Sequence, residues 1–531
     1  MSDTSHTRPL GAQISHMLKS RGVDTIFGIP GVHNQEMYRG IEEAGIRHFL
    51  ARHEQGAGFM ADGYARASGK PGIAYVITGP GLCNTMTPMG QAYSDSVPVL
   101  VLSSCLDDTA ATRGQLHQML DQQAAGATVS DWSYTANNAD AAYTLIDRAL
   151  SEFQTKRPRT KHIQVPIAAL EGEAKAAPDK PPSLKPVRHV LPEGIAGQIM
   201  AANCPLFILG GGAVRASEQA RRALTTLKAA SFPTDAGRGI ISIKDDPLHF
   251  GGYLGRPETA KVAASADLVI VVGSELSETD LWRDKLEHTA QMIRVDIDPE
   301  VLGQEPGSIA VPMDANDFFT GLNAAIEGHS ADTSWTADEI TKARKRWRAE
   351  ADSERPGIAR ICDALREVMP EDTMFFSDMT QFAYAGKEFW DMDRPGHWHH
   401  PYGFGTLGYA LPAGIGGAAA RPGLPTVIIA GDYGFQYTVQ ELGTAVELGQ
   451  PLPILLWDNG KLKEIEDSMV AAQIAPNSVI AHNPDFCALA KAYGAKAEAP
   501  KTLEALKKAV TAAFKADGPT LIYMTGNMKD S

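Results

Sequence analysis

Short apolar runs recur along the chain, each closed by glycine, proline or a polar residue, with helically spaced apolar positions in between. In the first third they are 25–31, 72–78, 97–102 and 162–166. After a gap come 206–209, ending in Gly210-Gly211-Gly212, then 268–273 and 292–298. The last third has 374–378, Thr426-Val427-Ile428-Ile429-Ala430 and Pro453-Ile454-Leu455-Leu456-Trp457. The runs are continuous rather than alternating, as in strands buried on both faces of a parallel sheet. Alternation with helices predicts an α/β fold of doubly wound parallel sheets. The segment 54–68, rich in Ala and Gly, reads as a helix packed closely on its neighbours, and 438–448 as a helix between two strands.

The punctuation divides the chain into three units. Residues 171–188, with Ala177-Pro178 and Pro181-Pro182, have a linker composition. The charged stretch 337–354 reads as a solvated helix leading out of the middle unit. The expected domains are 1–172, 190–335 and 356–531, in keeping with about three domains for 531 residues. The first and third share size and strand order without a convincing sequence repeat.

Composition narrows the function classes. A hydrophobic content of 44% and a charged content of 21% are ordinary for a globular protein. A formal charge of -14 argues against nucleic acid or an anionic membrane as partner. The five cysteines are scattered without a CxxC, as expected of reduced thiols in a cytoplasmic protein. The N-terminus lacks the pattern of a signal peptide, and no apolar run reaches the roughly 20 residues of a membrane helix.

The chemistry concentrates near the C-terminus. Gly431-Asp432-Tyr433-Gly434-Phe435 closes one apolar run and Asp458-Asn459 the next, with Asp432 and Asn459 27 positions apart. Strand, turn, helix and strand bring both oxygen donors to the carboxyl edge of one sheet, where α/β proteins bind ligands. An acid, an amide and free backbone N–H groups there suit a magnesium diphosphate.

This motif resembles the thiamine-diphosphate signature, a GDG turn with a distal Asn. The resemblance extends over almost the whole chain. The run Arg52-His53-Glu54-Gln55-Gly56-Ala57-Gly58 is similar to the segment that carries the family's catalytic glutamate. Thr78-Gly79-Pro80-Gly81 with Asn84, and Asp95-Ser96-Val97-Pro98, resemble further stretches of acetolactate synthases and 2-oxo acid decarboxylases. Gly405-Thr406-Leu407-Gly408 resembles the segment that bends the cofactor.

The resemblance implies a pyrimidine-binding, a central and a diphosphate-binding domain, with thiamine diphosphate and Mg2+ as cofactors. The metal ligands would be Asp432, Asn459 and the backbone carbonyl of Lys461. Thr380 and Gln381 would join Gly431, Tyr433 and Gly434 at the diphosphate. The Gly405 carbonyl would accept from the cofactor's amino group, Leu407 would sit under its bend, and Ile465 would form an apolar wall beside the reacting carbon. Glu54 would hydrogen-bond the aminopyrimidine; on its own it also reads as a helix-capping glutamate. His117 and Gln118 would lie over the substrate, and His399 and His400 are further acid/base candidates. The chain departs from the family pattern at two places: Tyr433 stands for the second Gly of the turn, and Asp458 for an Asn. In acetolactate synthases the central domain binds FAD; Gly210-Gly211-Gly212 reads first as a plain strand-to-helix turn, which leaves FAD open. Family sites form between subunits, so a homodimer or homotetramer is implied.

Function is then decarboxylation of a small 2-oxo acid. The branch that decarboxylates 5-guanidino-2-oxopentanoate to 4-guanidinobutanal is similar around Leu116-His117-Gln118, although it usually has Glu where Gln118 stands, and at Met469, Ile474 and Asn483-Pro484-Asp485-Phe486. Glu464 and Asp467, three apart and on one helix face, could with Glu466 hold a cationic tail, or could simply begin a solvated acidic helix. The runner-up is an acetolactate synthase condensing two pyruvates; a third reading is a non-catalytic scaffold whose site Tyr433 blocks.

Overall fold

The computed structural model describes residues 7–108, 114–181, 183–185, 187–480 and 482–530. Three wholly parallel sheets follow one another along the chain. The first has six strands: β1 (Thr25–Gly28), β2 (Arg47–Leu50), β3 (Gly72–Val76), β4 (Val99–Cys105), β5 (Trp132–Thr135) and β6 (Lys161–Pro166). They lie in the order β2-β1-β3-β4-β6-β5. The second has β7 (Pro205–Leu209), β8 (Ala230–Pro233), β9 (Leu268–Val272), β10 (Gln291–Asp296) and β11 (Ile309–Pro312), ordered β8-β7-β9-β10-β11. The third has β12 (Met374–Ser377), β13 (Trp398–His399), β14 (Thr426–Gly431), β15 (Leu452–Trp457), β16 (Lys496–Glu498) and β17 (Pro519–Met524), ordered β13-β12-β14-β15-β17-β16. The first and third sheets therefore share one strand order. Each reverses direction between its first and third strands, and a crevice opens at such a switch point.

The apolar runs form these strands because helices cover both faces; β3, β14 and β15 are buried at every residue. One core joins the first and third units, with Met60, Tyr64, Leu411, Ile415, Ile428 and Ile454 in a single cluster. At its centre the Glu54–Ser68 helix crosses the Ala410–Ala420 helix backbone to backbone. A methyl group at Gly63 would lie 1.9 Å from the Ala413 carbonyl oxygen, and one at Gly416 2.0 Å from that of Met60. Gly63→Ala therefore forces the helices apart and is expected to cost about 1–3 kcal/mol; an unchanged urea midpoint would contradict this crossing.

Three expectations change in detail. The Ala337–Glu354 helix is not simply solvated: Ile340, Trp347 and Ala351 form a buried stripe, and Trp347 packs against Phe232, Phe250 and Tyr253. The 171–188 segment starts with order, since Glu173–Ala174 pairs antiparallel with Arg8–Pro9. Helix begins directly at Asp432 rather than at 438. It is broken at Thr438, whose hydroxyl donates to the Gly408 carbonyl at 2.9 Å, a tertiary contact invisible to periodicity. Among the described residues no helix is long and apolar enough to cross a membrane.

Candidate active site

The switch point of the third sheet lies between β12 and β14. Chain leaving β12 carries Asp378, Thr380 and Gln381; chain leaving β14 carries Asp432, at the level of Asp458 and Asn459 after β15, because Gly431 is in register with Trp457. The side chains meet across the gap. Asn459 Nδ2 donates to Gln381 Oε1 at 3.0 Å, and Asn459 Oδ1 accepts from the Lys461 N–H at 3.2 Å. Thr380 fills the space beside Gly431, where an added methyl would sit 2.9 Å from its Oγ1. Asn483 Nδ2 donates to Asp432 Oδ2 at 2.7 Å and to Asp458 Oδ1 at 3.0 Å, bridging two carboxylates. Asp458 also accepts from the Tyr523 hydroxyl at 2.8 Å and the Gly460 N–H at 2.8 Å. Burial pushes the Asp432 carboxyl up to about 6; the Asn483 bond opposes this and Asp458 adds to it. A cation beside the pair would relieve both the burial and the repulsion.

Tyr433 does not crowd the turn. It is the second residue of the Asp432–Tyr437 helix and lies outside the positive-φ region, so glycine is not required there. Gly434 is the constrained position: a methyl there would lie 2.4 Å from Asp378 Oδ2. Asp378 is a fully buried carboxyl that accepts from the Gly408 N–H at 2.9 Å and the Met379 N–H at 3.0 Å. Burial pushes it up to about 7 against those bonds. It fixes the Gly405–Gly408 loop to the start of the next helix, a role no local pattern announced. The other end of the loop is tied to the first unit. Asp95 accepts from the Gly403 N–H at 2.7 Å and from Arg66 at 2.7 Å, and Thr406 donates to Gln91 at 3.1 Å. Gly405 has φ +64, and a methyl added there would meet only the Met379 Cε, at 3.6 Å; Leu407 is half-buried.

Glu54 opens its helix after β2. The cap is supplied by His53, whose Nδ1 accepts from the Gln55 N–H at 3.2 Å, so Glu54 is not the capping group. Its Oε2 accepts from Asn84 Nδ2 at 2.9 Å. The N-terminus of this helix rests on Glu441, a buried carboxylate that accepts from the N–H groups of Arg52 and His53 at 2.9–3.1 Å. Burial pushes Glu441 up to about 7, opposed by those bonds. His117 lies over the start of the Pro80–Ser94 helix with φ +64, its carbonyl against Gly79 and its ring edge-to-face with His33 at 4.9 Å. Gln118 Oε1 accepts from the N–H groups of Gly114 and Gln115 at 3.1 and 3.2 Å.

The structure thus gathers Thr380, Gln381, Gly431, Asp432, Gly434, Asn459 and Lys461 at one sheet edge. Glu54, Asn84 and His117 gather in another group, and among the described residues no hydrogen bond joins Glu54 to Asp432 or Asn459. Two expectations need correction. His399 and His400 are buried, and desolvation holds both imidazoles well below their ordinary range, so neither is an exchangeable acid. The acidic helix start is already paired: Glu464 with Arg355 at 3.3 Å, Glu466 with Lys461 at 2.9 Å, and Asp467 with Lys463. Ile465 is 52% exposed on the same helix. Gly210 and Gly212 pack against the backbone of Gly273, which accounts for two of the three glycines as turn residues.

The Asp432–Asp458 pair and the Asn459 amide are too few for an all-protein cage, but they suit a cation shared with a diphosphate, and Gly405, with only Met379 Cε near it, leaves the edge open. Comparison with known proteins bears on the diphosphate part of this arrangement. Residues 8–125 match the model of the thiamine pyrophosphate enzyme N-terminal TPP binding domain, 193–322 the central domain and 378–524 the C-terminal TPP binding domain. The chain is 40% identical to the probable 2-ketoarginine decarboxylase AruI of Pseudomonas aeruginosa, over 98% of this chain and 94% of that protein. It is 26% identical to the acetolactate synthase isozyme 2 large subunit of Escherichia coli, over 97% and 95%. It is 28% identical to the acetolactate synthase large subunit IlvB1 of Mycobacterium tuberculosis, over 91% and 82%.

Proposed function

The chain belongs to the thiamine pyrophosphate enzyme family and is a thiamine-diphosphate-dependent decarboxylase of a 2-oxo acid, and from that premise we propose that the acid is 5-guanidino-2-oxopentanoate, released as 4-guanidinobutanal and carbon dioxide. The observation that carries the choice of acid is the 40% identity, over nearly the full length of both chains, to a probable decarboxylase of 2-ketoarginine, the same compound.

When bound, the cofactor supplies the electron sink for the pair left behind as carbon dioxide departs. In this reading Asp432 Oδ, Asn459 Oδ1 and the Lys461 carbonyl would hold Mg2+, which would neutralise charge at the diphosphate. Thr380, Gln381 and the Gly431–Gly434 backbone orient the phosphates. Leu407 and the Gly405 carbonyl would hold the part of the cofactor that carries its amino group. Glu54 would hold a proton at its carboxyl and lie against the aminopyrimidine, with Asn84 fixing its direction and Glu441 fixing its helix. His117 and Gln118 close over the substrate. Glu54 and Asp432 come from different copies of the chain, so the working unit is at least a homodimer. Exposed Val32, Leu116 and Leu120 on the Glu54 side support this reading.

Aldehyde formation from a panel of 2-oxo acids tests the substrate. The guanidino acid is expected to have the highest kcat/KM, by about 100-fold or more over pyruvate. Conversion of pyruvate to acetolactate with the guanidino acid untouched would overturn it.

A further inference from the structure

Between the second and third sheets lies a cavity of about 490 Å³, walled by Asp235, Asp280 and Trp282 from one side and by Tyr384, Lys387 and Glu464 from the other. It adjoins the sheet-edge crevice. The Gln381–Phe389 helix touches Asn459 through its first residue, and Tyr384 lies one turn further on, about 5 Å along the axis. Glu464 follows Asn459 by five positions.

The charges in this cavity are unequally satisfied. Lys387 donates to Asp235 at 2.7 Å, and Arg256 donates to Glu354 at 2.7 Å and Glu388 at 2.5 Å. Arg355 donates to Glu464 through Nε and Nη2, each at 3.3 Å. Arg238 donates to the Trp390 carbonyl at 2.6 Å and stacks over Trp398 at 4.7 Å. Asp280 alone among the five carboxyl groups lining the cavity has no ion-pair partner among the described residues. It accepts only from the Asp235 N–H at 3.1 Å and the Ser277 hydroxyl at 3.0 Å. Each of its oxygens retains a lone pair for a further donor.

The walls beside it are aromatic. Trp282, the left-handed cap of the Glu278–Leu281 helix at φ +50, is 63% exposed and meets Tyr384 edge-to-face at 6.5 Å. The cavity already shows how it treats a guanidinium: that of Arg355 is forked onto a carboxylate and lies 5.9 Å from the centre of the Tyr384 ring.

We propose that Asp280 accepts the guanidinium of the substrate's tail, with the rings of Trp282 and Tyr384 flanking it. This rests on the reading of the substrate as a guanidino acid and adds the residues that select it. Burial, with Asp235 next, pushes the Asp280 carboxyl up to about 7, and a cation at that spot removes the cost of ionising it.

The holoenzyme, Asp280→Asn and Trp282→Ala are compared on 5-guanidino-2-oxopentanoate and on 2-oxohexanoate, which has an uncharged tail. Asp280→Asn is expected to raise KM for the guanidino acid about 10- to 100-fold with kcat within about threefold, and to leave KM for 2-oxohexanoate unchanged. Trp282→Ala, at a position that is 63% exposed, raises the same KM about 3- to 30-fold. Calorimetric binding of 4-guanidinobutanoate, which cannot react, weakens by the same factors. If wild type prefers the guanidino acid and the variants change both acids alike, or neither, the tail site is wrong and the substrate stands. If wild type turns over 2-oxohexanoate and rejects the guanidino acid, the substrate reading falls and the tail site with it.

Discussion

Glu54→Gln is expected to keep thiamine diphosphate bound while lowering kcat about 10²- to 10⁴-fold, the range for losing a positioned acid–base group. The exchange is nearly isosteric. Asn84 can still donate to the remaining amide oxygen, and the helix N-terminus stays anchored, because the anchoring carboxylate is Glu441 and the cap is His53. What disappears is a group that can hold and release a proton. Stability and cofactor affinity thus serve as internal controls: a variant that binds normally and is nearly inactive supports the assignment. A variant with wild-type kcat would remove Glu54 from the proton path.

Asp432→Ala is expected to weaken magnesium-dependent binding of the cofactor by about 100-fold or more, exceeding the 10- to 100-fold typical of residues that merely orient a ligand. Removal of this carboxylate takes away the proposed cation's acidic ligand and leaves Asn483 Nδ2 donating to Asp458, while its Oδ1 still accepts from Gln436. The fold should tolerate it: Asp432 is buried, but it begins its helix at the sheet edge, and its loss relieves the repulsion with Asp458. Titration of thiamine diphosphate at fixed magnesium, followed by protein fluorescence, reads the effect; affinity within threefold of wild type would contradict it. The two variants also test where the site is assembled. If each site draws Glu54 from one copy and Asp432 from another, mixing and reassociating Glu54→Gln and Asp432→Ala chains restores one intact site in two within a mixed dimer and activity returns; if each site lies within one chain, it does not.

Much of this protein is encoded locally. Runs such as 426–430 and 453–457 are apolar without alternation, and such a run has no stable place except between two helical layers of a parallel sheet. That requirement yields three units and puts whatever follows each run at a carboxyl edge, so Asp432 and Asn459 could be assigned to one crevice from order alone, whereas Thr380 and Gln381 joined them only through the family resemblance. What sequence left undecided is who stands opposite whom. Glu441 and Arg52 are 389 positions apart, yet that contact orients the helix of Glu54. Asp378 and Asp95 pin the two ends of segment 403–408 through the N–H groups of Gly408 and Gly403, pairings that the motifs themselves do not reveal. His399 and His400 read as acid/base candidates until burial shows them neutral, and the acidic stretch 464–467 reads as a cation site until Arg355, Lys461 and Lys463 are found on it. Periodicity records which face of an element is dry, a property of neighbours in the chain. Charge state and hydrogen-bond partner depend on desolvation and on distant chemistry brought within about 3 Å, and only packing of the three units sets those.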